Sequence, residues 1–253
     1  VLSLVLILPV ILFVRRRPED IGLLPDGATP DQPGPEIGSA RPQPLTPEFS
    51  WTAKEAIRTH AFWLLLGITA LGTLASSATG FSLVPFLVQD AGLSAVSAAG
   101  VLSLGTFLAV ANLFWGYLAD RITPRRCLVV MMVGAGAMMA YLLSVNSVGE
   151  ALLFAAIWGV FSGGLGSLEN MVLAGYFGRG SYGTILGVFS PLQMIALGAG
   201  PALASTVRSL AGDFYILYVA MGVAYFVSAV LMFIAKPPRR PARAEVGTPV
   251  PGD

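Results

Sequence analysis

The sequence predicts an all-α polytopic membrane protein, and three observations carry that prediction. Apolar residues make up 55% of the 253 and charged residues only 11%, against about 25% charged in an ordinary soluble domain. Apolar runs recur at close to the roughly 20 residues that cross a bilayer. Lysine and arginine fall in the gaps between those runs rather than along one helix face. Mean hydropathy is +0.75. The runs are continuously apolar, which argues against a transmembrane β-barrel, whose strands alternate. A net charge of +1 gives no footing for nucleic acid. The one cysteine, Cys127, rules out an internal disulfide and a Cys-based metal site. The one histidine, His60, excludes most His-rich metal or catalytic sets, so neither metal nor cofactor is expected.

The chain opens inside an apolar run, Val1 to Val14, closed by Arg15, Arg16 and Arg17. A signal peptide carries its positive charge before the apolar core, and here it follows. The run is also too short to span alone. It reads as the end of a helix cut off upstream, with the sequence as a fragment. Residues 15–60 then form a Pro-rich linker with a short helix at its end. Thr52-Ala53-Lys54-Glu55 fits a capping box, with Ser50 as an alternative cap. That helix reads as an amphipathic latch on the next span or as a plain lead-in to it. Trp51, Phe62 and Trp63 suit the membrane interface.

Six spans are expected at about Ala61–Val88, Ser94–Tyr117, Cys127–Val145, Glu150–Gly175, Tyr182–Val207 and Asp213–Ala235. Gly92 should end the first and Ser94 cap the second. The linker, the 120–126 hinge, the Arg179 loop and the tail at 236–243 fall on one side of the membrane. The opposite loops carry a single basic residue, Arg208. The positive-inside rule makes the arginine-rich side cytoplasmic. The tail, 237–253, is expected to be disordered; its arginines serve as topology signal or as a contact to anionic lipid.

The second and third spans meet at Gly116-Tyr117-Leu118-Ala119-Asp120-Arg121-Ile122-Thr123-Pro124-Arg125-Arg126. Asp120 lies near a helix C-terminus, where the macrodipole is already negative. It needs compensation, from Arg121 or from the unpaired N–H groups at a neighbouring helix N-terminus. Gly116 sits one turn back and would let that neighbour approach. Together with Arg125 and Arg126 this makes a breakable conformational latch.

Gly116-x-Leu118-Ala119-Asp120-Arg121 resembles the loop motif Gly-x-Leu-Ala-Asp-Arg-x-Gly-Arg-Arg of the major facilitator superfamily. Thr123 replaces the following Gly, Pro124 takes the next Arg position, and Arg125 and Arg126 keep the basic end. The resemblance covers the whole chain. It implies a six-helix C-terminal bundle of a twelve-helix fold: 1–14 as the end of helix 6, 15–60 as the central cytoplasmic loop, and 61–236 as helices 7 to 12. An N-terminal six-helix half of the same protein is then the implied partner. Arg15 to Gly27 is similar to the start of the central loop in bacterial oxalate/formate antiporters and monocarboxylate transporters. That likeness implies a carboxylate substrate bound by basic residues in helices 8 and 11. Here neither 94–115 nor 184–205 carries any charge.

Glu169 is the one ionisable residue well inside a span. Intramembrane acids are costly and face a bundle interior or cavity. It reads as carrier of a coupling proton or cation, or as a structural acid. Gly159, Gly163, Gly164 and Gly166 allow close helix packing or a hinge, with packing favoured. Ser76, Thr79, Ser103, Thr106, Ser162 and Gln193 are candidates for a substrate cavity near mid-membrane. Gln193 is hardest to dismiss, because a buried amide needs several partners. Isolated Ser and Thr more often bond their own helix.

The expected function is secondary active transport of a small solute by alternating access, coupled to a proton or a counter-solute, in the plasma (inner) membrane. No nucleotide-binding loop is present. A transporter-like sensor without flux is the alternative reading. A membrane-embedded enzyme is disfavoured, because one His and one Cys supply no convergent catalytic set.

Overall fold

The computed structural model describes residues 51–178 and 181–238. The expected helix-6 end, the arginine stop, most of the linker, the Arg179 loop and the tail from 239 lie outside the described residues. Among the described residues there is no strand, and six helical stretches are long and apolar enough to cross a membrane.

The short helix α1 (Ala53–Ile57) starts as the sequence predicts. Thr52 is its N-cap, its N–H donates to Glu55 Oε2 at 2.9 Å, and its hydroxyl accepts from the Glu55 N–H. A second cap follows at once: Thr59 Oγ1 accepts from the Phe62 N–H at 3.2 Å and starts α2 (His60–Gln89). Of the aromatics expected at the interface, Trp63 is 59% exposed and donates Nε1–H to the Ile57 carbonyl at 2.9 Å. Trp51 and Phe62 are buried instead. The Phe62 ring stands edge-on to Phe189 at 4.9 Å and to Phe177 at 6.2 Å, and Trp51 meets Phe177 as well. An aromatic ring suits an interface and a core about equally. Here the core buries more of its area.

The second span is not one helix. It runs as α3 (Ala95–Leu108), a 3₁₀ turn (Ala109–Ala111) and α4 (Asn112–Arg121). Ser94 caps it, accepting from the Ser97 N–H at 3.1 Å, and Gly92 takes the left-handed turn before it at φ 70°. The third span is α5 (Pro124–Leu142), with Thr123 as N-cap and Pro124 in the first turn. Both departures from the family-like motif thus have a local cause: Thr is a favoured cap, and Pro is pre-set for the first helical position. The fourth span is also broken, as α6 (Val148–Gly163) and α7 (Leu165–Phe177) joined at Gly164. The fifth is α8 (Tyr182–Ala211), continuous through Pro191 and Pro201, and the sixth is α9 (Tyr215–Ile234).

Close packing relies on small residues. A Cβ on Gly159 of α6 would sit 2.4 Å from the Gly105 carbonyl oxygen of α3, and one on Gly163 would sit 2.5 Å from the Ala109 oxygen. A Cβ on Gly200 of α8 would overlap Ser77 and Ala78 of α2. The glycines of the fourth span therefore serve packing, as favoured. Gly166 is the exception, since a Cβ there meets nothing. α2 lies between α8 and α9, and α5 packs on α9.

At the end of the bundle away from the hinge, Asp90 caps the C-terminus of α2. Its Oδ1 accepts from Arg208 Nη1 at 2.6 Å and its Oδ2 from the Phe214 N–H at the start of α9, at 3.1 Å. The Arg208 guanidinium also lies over the Phe214 ring, 5.0 Å from its centroid. The lone basic residue on that side thus serves to neutralise a carboxylate that is only 8% exposed. Asp90→Ala should lower stability by about 1–3 kcal/mol, because it strands a backbone donor and a cation together. Asp90→Asn, which keeps an acceptor for Phe214, should cost less. Thermal unfolding of the detergent-solubilised protein checks both the loss and the order.

Candidate functional site

Glu169 is in the second turn of α7, just past the break at Gly164, and is 7% exposed. Its position follows from α7 turning Leu168, Glu169, Val172 and Leu173 inward as one helical stripe. Asn170, its neighbour, is exposed. Glu169 Oε2 accepts from Gln193 Nε2 of α8 at 3.3 Å. Oε1 is buried and, among the described residues, has no hydrogen-bond partner. A void of about 10 Å³, roughly the room for one water, opens beside the pair and is bordered by Thr69, Leu128 and Phe189. Gly72 of α2 faces the same carboxylate: a Cβ there would lie 3.7 Å from Oε1. Three spans, α2, α7 and α8, therefore converge on one acid, and the amide singled out as hardest to dismiss is its partner.

The other candidate cavity residues do not converge there. Thr79 is fully buried in the core, its hydroxyl 3.4 Å from Met139 Sδ. Ser103 and Thr106 are exposed on α3 and donate to the carbonyls of Ala99 and Leu102 in their own helix, both at 2.9 Å. Ser162 donates to Gly159 in the same way, at 3.4 Å. Ser76 faces the buried Tyr225 phenol, as does Trp158. Ser76, Thr79, Ser103, Thr106 and Ser162 thus do not join Gln193 around Glu169. The physical reason is that a hydroxyl in a helix finds a carbonyl one turn back without help from a neighbour.

Two buried tyrosines of α9 were missed. Tyr218 OH pairs with Ser82 Oγ at 2.9 Å, and Tyr225 is 1% exposed. Their spacing of seven places both on one face, and that was the available signal.

Asp120 is exposed and, among the described residues, has no hydrogen-bond or ion-pair partner. Arg121 turns away from it and stacks over the Tyr117 ring, 4.8 Å from the centroid. A Cβ on Gly116 would meet nothing within 4 Å. The expected local help from Arg121 and the close approach at Gly116 are therefore not realised here. Arg125 does something else. Its Nε donates to the Met232 carbonyl at 3.1 Å and its Nη2 to the Phe233 carbonyl, while Tyr176 OH donates to Ala235 at 2.7 Å. These bonds satisfy carbonyls at the C-terminus of α9 that its own helix leaves free. Arg126 holds its backbone N–H on the Thr123 cap and leaves its side chain exposed.

A polytopic helical bundle with broken spans and a buried acid within them defines the class: an integral membrane protein with a polar site inside its helices. The sequence profile of the Major Facilitator Superfamily matches residues 104–251, more than half of the chain. The chain belongs to that family. It is 28% identical over 178 residues to the multidrug resistance protein MdtG of Klebsiella pneumoniae (strain 342), a match covering 67% of this chain. The chain spans about two fifths of that relative's length, 41%. Its fold is similar to that in an in meso crystal structure of the POT family transporter PepTSo, with a TM-score of 0.59 at 16% identity, over 72% of this chain and 39% of that one.

The pair at Glu169 can be tested by a thermodynamic cycle. Gln193→Leu should destabilise by about 1–3 kcal/mol, since it leaves both carboxylate oxygens without a donor. Glu169→Gln should lose less, and the double variant should show a coupling of at least about 0.5 kcal/mol. Additive effects would mean that the two side chains do not support each other.

Proposed function

We propose that the protein is a secondary active transporter that moves a small solute by alternating access. In this reading the bundle is the C-terminal half, helices 7 to 12, and an N-terminal six-helix half of the same protein closes the other side of the cavity. One observation carries it. The second and fifth spans are only 17% and 22% buried, against 44–50% for the other four. Faces on α3 and α8 thus lack partners among the described residues. Gly183, Gly187 and Gly198 on α8 would each accept a Cβ without contact, which suits close approach by another helix. Ser103 and Thr106 give the α3 face hydroxyls.

Between their ends these faces carry no charge. That favours a neutral or weakly polar organic solute, in line with the printed name of the multidrug resistance relative. A carboxylate is the second reading, favoured by the likeness of Arg15 to Gly27 to oxalate/formate antiporters and monocarboxylate transporters. Its charge would then be met by the N-terminal half. Glu169 is assigned a coupling proton, because among the described residues it is the one acid held inside the spans with an oxygen unpaired. Asp120 is assigned a latch to a helix N-terminus, made in one conformation and open in another. The protein is placed in the plasma (inner) membrane with the central loop, hinge and C-terminus cytoplasmic.

Flux into proteoliposomes containing the full-length protein tests this. Saturable counterflow of a neutral solute that carboxylates do not inhibit is expected; binding without flux would favour a sensor. Asp120→Asn should reduce flux by about tenfold or more while leaving membrane insertion intact, since it weakens a charge-assisted contact needed in only one state. Glu169→Gln removes a titrating group. The pH dependence of flux should flatten relative to wild type, and an unchanged profile would return Glu169 to a structural role.

A further inference from the structure

We infer that the cleft at the arginine-rich end of the bundle, between α5, α7 and α9, is a binding site for one anionic phospholipid. The cleft is open and has a volume of about 900 Å³, within the range of sites that hold small ligands. Its upper rim is cationic: Arg125 and Arg126 from the first turn of α5 and Lys236 from beyond α9 all line it. No Asp or Glu is among its described lining residues. Its walls are apolar, built by Val129, Val130, Met171 and Phe233. The walls continue along the bundle surface toward mid-membrane as exposed apolar side chains, Val133 on α5 and Phe226 and Val230 on α9.

This division of charge and apolar surface matches one occupant. A free anion would use the rim and leave the walls bare. A neutral lipid would use the walls and leave three cations without a counter-charge. A phospholipid with net negative charge uses both, with its phosphate among the cations and an acyl chain along Val130 and Phe233. Basic pockets between membrane helices recognise acidic headgroups for this reason. The roles of the cations differ. Arg125 is tied to the Met232 and Phe233 carbonyls and gives a fixed charge on the rim. Arg126 and Lys236 have exposed side chains that can close on a headgroup. Gly175 of α7 lines the cleft, and a Cβ there would meet no other atom within 4 Å. The absence of a side chain at that point keeps the groove open.

The test is lipid retention and thermal stability of the purified full chain in detergent, titrated with phosphatidylglycerol and with phosphatidylcholine of the same acyl chains. Phosphatidylglycerol should bind roughly thirtyfold tighter, the effect expected from about two unscreened cation contacts. The double variant R126Q/K236Q should bring it down to the phosphatidylcholine level. Gly175→Leu fills the groove without removing charge and should weaken both lipids. Glycerol phosphate, which has the headgroup and no chains, should not compete. Equal binding of the two lipids, undiminished phosphatidylglycerol binding in R126Q/K236Q, or competition by glycerol phosphate at matching concentration would each overturn the assignment. If Gly175→Leu fails to fold, the charge variant and the glycerol phosphate competition still decide.

Discussion

The contact on which most of this bundle depends is backbone against backbone, where Gly159 of α6 lies on Gly105 of α3. A methyl group at Gly159 would stand 2.4 Å from the Gly105 oxygen. Inside a bilayer, apolar side chains gain little by leaving lipid for each other, so helix association rests on dispersion and on close approach. Residues without a Cβ allow that approach, and the same device recurs where Gly200 of α8 meets Ser77 and Ala78 of α2. These contacts use the inner faces of α3 and α8. The outer faces of the same helices are left uncovered, which is why the second and fifth spans are so much less buried than the rest.

Charge is confined to the ends of the helices, and there one rule explains several contacts. An acid at a helix C-terminus is unfavourable unless a cation or the N-terminus of another helix faces it. That requirement, first raised for Asp120, is met in full at Asp90, which holds Arg208 and the Phe214 N–H together. At the opposite end the reverse problem, free carbonyls closing α9, is answered by Arg125 and Tyr176. Asp120 has no such answer within the described chain. Two acids that look alike in the sequence therefore differ in the fold: one is a permanent staple and the other is an unsatisfied end.

Much of the fold was legible because its signals are local. The Thr52–Glu55 box, the Ser94 cap and Gly92 each act within a few residues, and the spans follow from runs of apolar residues. The break at 109–111 was not legible, and the one at Gly164 only as the less favoured hinge reading of the glycine cluster. Nothing in 109–111 is a helix breaker, and the break at Gly164 depends on what packs against it. The site was half legible. Glu169 stands out as the lone acid within a span, and Gln193 as an amide that must be paired. Their mutual hydrogen bond joins residues on different helices and needed the packing of α7 on α8 to appear. The hydroxyls could not be sorted from the sequence, because serine and threonine are as polar on paper as glutamine, yet satisfy themselves within their own helix. Trp51 and Phe62 misled for a related reason: a ring at the end of an apolar run is compatible with interface and core alike.

The two breaks are also coupled to each other. Gly163 of α6 lies over the Ala109 carbonyl in the 3₁₀ turn, and Gly164 lies against the Trp115 ring of α4. Ending α6 at Gly163 leaves its last carbonyls without intrahelical donors. Trp115, 3% exposed, supplies one donor directly: its Nε1–H reaches the Val160 oxygen at 2.7 Å. An indole can do this because it is largely apolar and carries a single N–H. The break in the fourth span is thus satisfied by a residue of the broken second span. The segments beyond the two breaks, α4 leading to Asp120 and α7 carrying Glu169, meet at this same junction. The hinge and the buried acid, far apart in sequence, are in that sense parts of one packed unit.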